Sequence, residues 1–204
     1  MYKNVIFDYG QVIISFDPYY MTKAYVNDEK VAKDLSEIIF DRIYWDKLDN
    51  GSITDDEVKA AFKNRIPSHL YDTACKVYDN WYYNNPIIPG IKEIIEELKA
   101  KGVKLYLLSN ISIGFAENHQ NIPKVSEILS LFDGLVFSGP IGLNKPNREI
   151  FDYLLNTYNL KAENCVFIDD SEKNLNGAKA VNINTILFTG DTEKLKKDLK
   201  NEGF

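Results

Sequence analysis

The sequence predicts an α/β fold: a parallel sheet between layers of helices, with a helical segment inserted after the first strand. Three observations carry this reading. Four short runs are apolar at nearly every position, as strands buried on both faces are: NVIF (4–7), VKLYLLS (103–109), CVFID (165–169) and NTILF (184–188), with GLVFS (134–138) a weaker fifth. Helical periodicity fills most intervals between them, and strand–helix–strand alternation implies parallel strands joined by right-handed crossovers. One interval breaks the rhythm. From about Ser15 to Pro86 no strand pattern occurs, and because ordered loops rarely exceed ~15 residues, that stretch must fold in its own right.

The inserted stretch reads as helices: DEKVAKDLSEII, FDRIYWDKLDNG, ITDDEVKAAFKNR with Thr54 as N-cap, and SHLYDTACKVYDNWYYN. Pro18 on one side, and Asn84–Asn85–Pro86 with Pro89–Gly90 on the other, mark linkers. The expected division is a core of residues 1–15 and 87–204 around a helical unit of 16–86. GIKEIIEELKAKG then spaces Ile91, Ile94, Ile95 and Leu98 along one helical face, and Gly102 stops it. NREIFDYLLNTYN aligns Ile150, Phe151, Leu154, Leu155 and Tyr158. SEKNLNGAKAVNI opens on Ser171, an N-cap residue type, and DTEKLKKDLKN carries Leu195 and Leu199 on one face.

Composition narrows the function classes. The chain has 204 residues, 45% apolar and 26% charged, with a formal charge of −6. Without a Lys/Arg block, an acidic chain is a poor partner for nucleic acid or anionic membrane, yet one or two placed cations suffice for a small phosphorylated ligand. Cys75 and Cys165 lie far apart in no metal-ligand spacing, which argues against a disulfide framework or a zinc site. No apolar run spans a bilayer and no basic leader precedes one, so a soluble, cytoplasmic monomer or homodimer is expected.

The chemistry sits where the strands end, because open parallel sheets bind ligands beyond their carboxyl edge. The first strand ends in Asp8, the second in Ser109–Asn110 and the fourth in Asp169–Asp170; Asn144–Lys145–Pro146 precedes the helix near 148. Singly, each is an ordinary turn or helix-capping residue. Together, three carboxylates on one rim repel and raise one another's pKa. A divalent cation resolves that conflict, and a site of oxygen donors without His or Cys suits hard Mg²⁺.

VIFDYG, YLLSN, GLNKP and VFIDDSEKN, in this order and spacing, resemble the four motifs of the haloacid dehalogenase-like (HAD) superfamily, and the resemblance spans essentially the whole chain. It implies a three-layer Rossmann-like core with a helical cap of the C1 type after the first motif; the short gap between GLVFS and NKP leaves no room for the other common cap position. FDYGQVI followed by SFDP is most similar to sugar phosphatases acting on α-glucose 1-phosphate. The resemblance implies a phosphohydrolase for a small phosphorylated metabolite. In it Asp8 is the nucleophile that accepts the phosphoryl group. Mg²⁺ is held by Asp8, the Gly10 carbonyl and Asp170, with Asp169 as ligand or outer partner. Ser109 and the Asn110 N–H bind phosphoryl oxygens, and Lys145 supplies positive charge. Asn174 falls where the family often has another acid, and either orients the metal's outer shell or sits idle in a helical turn.

One position departs from the pattern. The family's second Asp of the first motif, which protonates the leaving oxygen and then activates water, is Gly10 here. Three readings stay open. A leaving group such as an anomeric oxygen needs little help. Another carboxylate stands in, Asp17 being nearest, or one delivered by the cap. Or the protein is a regulatory binder of phospho-ligands with low turnover. A 2-haloacid dehalogenase would also use Asp8, but has no use for a metal pair at Asp169–Asp170. The aromatics Tyr44, Trp45, Tyr71, Tyr78, Trp81, Tyr82 and Tyr83 read mostly as the core of the insertion, with one or two facing the cleft. His69 and His119 are isolated and read as non-catalytic.

Overall fold

Backbone hydrogen bonding makes each apolar run a strand. The structure, a computed structural model, describes residues 4–204. The strands are β1 (Asn4–Phe7), β2 (Lys104–Ser109), β3 (Gly134–Phe137), β4 (Cys165–Asp169) and β5 (Asn184–Leu187). They form one parallel sheet in the order β3-β2-β1-β4-β5. β1 is central, with Val5 opposite Leu105 on one side and Val166 on the other. The sheet is buried on both faces because alternate strand residues feed two cores. Val5, Phe7, Leu107 and Ile168 pack with α6 (Ile91–Ala100), α8 (Pro123–Leu129) and α12 (Thr192–Asn201). Ile6, Leu108 and Phe167 pack with α10 (Arg148–Thr157) and α11 (Glu172–Lys179). These are the three layers that the strand pattern predicts.

The stretch between β1 and α6 folds into helices: α1 (Pro18–Lys23), α2 (Glu29–Ile39), α3 (Arg42–Asp49), α4 (Asp55–Lys63) and α5 (Tyr71–Asp79), with 3₁₀ turns at Ser68–Leu70 and Trp81–Tyr83. Their starts are written locally. Asp28, Asp41 and Thr54 each accept a first-turn N–H, and Thr54 with Glu57 completes a capping box. Pro18 does not lie in a linker. It occupies the first turn of α1 behind the N-cap Asp17, where its missing N–H costs nothing. The chain leaves and rejoins the sheet side by side: the Ser15 N–H donates to the Pro86 carbonyl and the Ile88 N–H to the Ile13 carbonyl, each at 2.9 Å.

An aromatic chain joins this helical segment to the sheet. Phe16 meets Trp45 and Trp81 edge-on at centroid distances of 5.5 and 5.6 Å, and Trp81 stacks on Phe115 at 5.8 Å. Phe115 belongs to α7 (Ile113–Asn118) and touches Tyr9 just beyond β1, at 5.0 Å. α7, α8 and the one-turn α9 (Ser138–Ile141) have no counterpart in the sequence reading. Each is at most two turns long, too short for an apolar stripe to repeat. No helix among the described residues is long and apolar enough to cross a membrane.

β3 is an edge strand and is pinned from outside. The Tyr158 hydroxyl accepts from the Leu135 N–H and donates to the Leu135 carbonyl, at 2.9 and 3.0 Å. A Cβ at Gly134 would lie 2.3 Å from that ring. The ring cannot yield without breaking both bonds, so Gly134→Ala is expected to cost about 1–3 kcal/mol. Thermal denaturation measures the loss, and a Tyr158→Leu background should shrink it, since the clash disappears with the ring.

Candidate active site

The sheet's carboxyl edge gathers the residues that the sequence singles out. Asp8 follows β1 directly, and its N–H donates to the Ile168 carbonyl of β4, so it cannot drift from that neighbour. Its Oδ1 accepts from the Tyr9 N–H and from Lys145 Nζ, both at 2.7 Å. Its second oxygen has no hydrogen bond among the described residues. Burial raises the Asp8 carboxyl to about 7; Lys145 opposes that rise and Asp169 adds to it.

Lys145 is the hub. It is 3% exposed, and its ammonium sits between Asp8 Oδ1 and Asp169 Oδ2, 2.8 Å from the latter. Burial works against its charge, but the two carboxylates outweigh burial and hold the ammonium above the ordinary lysine range. The backbone beneath it is clamped. Asn110 Nδ2 donates to the Lys145 carbonyl at 3.0 Å, and Asn110 Oδ1 accepts from the Lys145 N–H at 2.8 Å. This role of the Asn110 side chain is absent from the sequence reading, which assigned only its backbone N–H. Sequence spacing cannot reveal a pair 35 residues apart.

The two adjacent aspartates differ sharply. Asp169 is fully buried and its oxygens are occupied. Oδ1 accepts from the Ser171 N–H at 2.8 Å, Asn174 Nδ2 donates to both oxygens at 3.1 Å, and Lys145 takes Oδ2. Asn174 therefore orients Asp169. Ser171 stands at the N-cap of α11 but makes no side-chain capping bond. Asp170 is exposed, and among the described residues no other residue hydrogen-bonds or ion-pairs its carboxylate, which accepts only from its own backbone N–H. Partial burial, with Asp169 beside it, raises its pKa. Ser109 is buried at the end of β2 with no hydrogen bond to its hydroxyl among the described residues.

Carboxylate oxygens of Asp8, Asp169 and Asp170 lie within 4.8 Å of one another. The donor set fits a hard divalent cation: it is all oxygen, it sets three carboxylates against one ammonium, and the free groups are Asp170 and one oxygen of Asp8. Of the three, Asp169 alone has both oxygens engaged by hydrogen bonds.

A cavity of about 580 Å³ opens over this rim. Asp8, Gly10, Asn110, Lys145 and Asp170 line its floor, while Phe16, Trp45, Trp81, Arg42 and Asp49 line it from the helical segment. Trp45 and Trp81 are therefore both buried core and cavity wall. Asp17 is not brought to the cavity. It caps α1 by accepting the Tyr20 N–H at 3.0 Å. Asp49, absent from the sequence reading, is brought there. It is 7% exposed, its carboxylate has no hydrogen bond or ion pair among the described residues, and burial raises it to about 8. An acid at the end of a charged amphipathic helix carries no signal that separates it from a solvated one. His69 is exposed; His119 bonds the Ala116 carbonyl through Nδ1, and neither lines the cavity.

Comparison with known proteins agrees with this geometry. A family of haloacid dehalogenase-like hydrolases matches residues 2–182. The chain is 26% identical to a sesquiterpene phosphatase of Aspergillus oryzae over 88% of its own length and 86% of the relative's. It is 31% identical to a glyceraldehyde 3-phosphate phosphatase of Methanocaldococcus jannaschii, over 78% and 70% of the two chains. Among solved structures, a HAD family enzyme of Bacteroides thetaiotaomicron in complex with magnesium and inorganic phosphate superposes with a TM-score of 0.69 at 19% identity, covering 96% of this chain and 99% of that one. With a matched segment that runs from β1 beyond α11, the chain belongs to the haloacid dehalogenase-like hydrolases.

Proposed function

We propose that the protein is a Mg²⁺-dependent phosphatase of small phosphorylated metabolites, a sugar phosphate such as a hexose 1-phosphate, acting through an aspartyl-phosphate on Asp8. The observation that carries the reading is the division of labour at Asp8. One oxygen is tied to Lys145 and the Tyr9 N–H, and the other is without a partner in a residue that lines the cavity. Fixing one oxygen aims the second, which is what a carboxylate nucleophile needs.

The free Asp8 oxygen attacks phosphorus, and the bond from phosphorus to the ester oxygen breaks. The ester oxygen leaves with a proton. Water then attacks the phosphoryl group, Asp8 departs as carboxylate and phosphate is released. Lys145 stays charged throughout and offsets the negative charge that develops beside Asp8. The Ser109 hydroxyl and the Asn110 N–H, at the end of β2, donate to phosphoryl oxygens. Asp8, Asp170 and the Gly10 carbonyl would hold Mg²⁺, which would supply positive charge to offset the repulsion between an anionic nucleophile and an anionic phosphate. Asp169 and Asn174 hold Lys145 in place from behind. The helical segment, residues 16–86, acts as the cap: Phe16, Trp45 and Trp81 offer aromatic faces to a sugar ring, and Arg42 and Asp49 offer polar atoms to its hydroxyls. The phosphatase relatives support this substrate class. In a dehalogenase that used Asp8 alone, the unpartnered Asp170 would have no task.

Three measurements test the reading. Asp8→Asn should lower phosphatase turnover roughly 10⁴-fold or more and abolish labelling of the protein by phosphate; retained turnover would overturn the mechanism. Chelation with EDTA should silence the enzyme, and Mg²⁺ should restore it. Lys145→Met should cost stability as well as activity, about 3–5 kcal/mol by denaturant unfolding, because Asp169 is left buried without its counter-charge.

A further inference from the structure

The proposed mechanism leaves two proton transfers unassigned, and Gly10 has no side chain to make them. The Gly10 backbone is not in the left-handed region, and a Cβ there would meet nothing within 4 Å. The space that a side-chain acid would occupy is open. Among the described residues, four carboxylates line the cavity: Asp8, Asp46, Asp49 and Asp170. Asp8 is the nucleophile, Asp170 faces the cation site, and Asp46 is exposed and ion-paired to Arg42 at 2.6 Å. Only Asp49 is buried, unpaired and uncommitted among the described residues.

Its backbone is fixed to the rim. The buried Ser138 hydroxyl, at the end of β3, donates to the Asp49 carbonyl and accepts from the Ile111 N–H at 2.8 Å. Two residues on, Gly51 has a φ of +72°, and a Cβ there would lie 2.6 Å from the Gly139 carbonyl oxygen. Backbone thus packs on backbone, so Asp49 is placed by the sheet's own edge although α3 carries it.

Resting on the phosphatase reading above, we infer that the Asp49 carboxyl is the proton donor to the leaving oxygen and the proton acceptor from the attacking water. In the first half-reaction the ester oxygen takes the Asp49 proton as its bond to phosphorus breaks. In the second, the resulting carboxylate takes a proton from water as the water oxygen bonds to phosphorus, and the acid is restored. A protonated carboxyl at neutral pH suits the first step, and burial supplies it. The charged or titratable groups that face Asp49 are Arg42 and Asp46 on its own helix, Asp8 and Lys145 on the rim, and Tyr78 on α5.

The test compares wild type, Asp49→Asn and Asp49→Asn/Gly10→Asp, all with Mg²⁺, on glycerol 3-phosphate, a hexose 1-phosphate and p-nitrophenyl phosphate. For the alkyl ester, Asp49→Asn should lower kcat/KM by about 10²–10⁴-fold, whereas the p-nitrophenolate burst, whose leaving group needs no proton, should fall less than about tenfold. The wild-type kcat/KM should decline as pH rises through about 8, where Asp49 loses its proton, and Asp49→Asn should lack that decline. Adding Gly10→Asp should return part of the alkyl-ester rate. An equal loss in the alkyl-ester kcat/KM and in the p-nitrophenolate burst rate, a change in KM alone, or no loss would overturn the role of Asp49 while leaving an Asp8-dependent phosphatase intact. Turnover that survives Asp8→Asn, or no turnover of any ester by wild type, would instead remove the phosphatase reading and this inference with it.

Discussion

The ammonium of Lys145, shared between Asp8 and Asp169, is the interaction on which the rest of the rim depends. Two carboxylates at the ends of neighbouring parallel strands cannot both be buried and charged without a cation between them. Lys145 meets that demand, and its own burial is made tolerable by the same two groups. Everything nearby serves this arrangement. Asn110 clamps the lysine backbone, Asn174 and the Ser171 N–H saturate Asp169, and the Tyr9 N–H completes Asp8 Oδ1. What is left over is one oxygen of Asp8 and the Asp170 carboxylate, the groups on which the proposed mechanism draws.

Parallel-sheet geometry explains why these residues meet. Placing β1 between β2 and β4 brings three strand ends together, although their sequence positions are widely separated. The same edge also receives the helical segment. An aromatic chain from Phe16 through Trp45 and Trp81 to Phe115 continues the core outward, so the segment and the sheet share one continuous apolar interior. Close backbone approach at Gly51 and Gly139, locked by Ser138, sets the height of α3 above the rim. A helical segment fixed in this way can deliver a chemical group with the accuracy of the sheet itself.

The sequence's limits follow from range. All five strands occur where apolar runs place them, β1 and β4 with the same bounds, because a strand buried on two faces needs an unbroken apolar run. Thr54 heads its helix because its capping bonds reach only three residues ahead. α7 and α8 escaped because two turns do not establish a period. Pro18 heads a helix where the sequence suggests a linker, because a proline suits a linker and a first helical turn equally well.

At the site, the sequence by itself determined which residues stand at the strand ends, since that follows from where each apolar run stops. It could not determine how they divide the work. Asp169 and Asp170 are identical in type and adjacent in sequence, yet one is buried and fully bonded while the other is exposed and free; pleat alternation and the fold around them made that difference. Asp17 and Asp49 are likewise two acids at helix ends. The tertiary structure alone turned one into a cap and put the other, desolvated, in the wall of the cavity above the Gly10 that lacks an acid of its own. Burial and long-range contact set the proton affinity of a carboxylate, and neither is a property of local sequence.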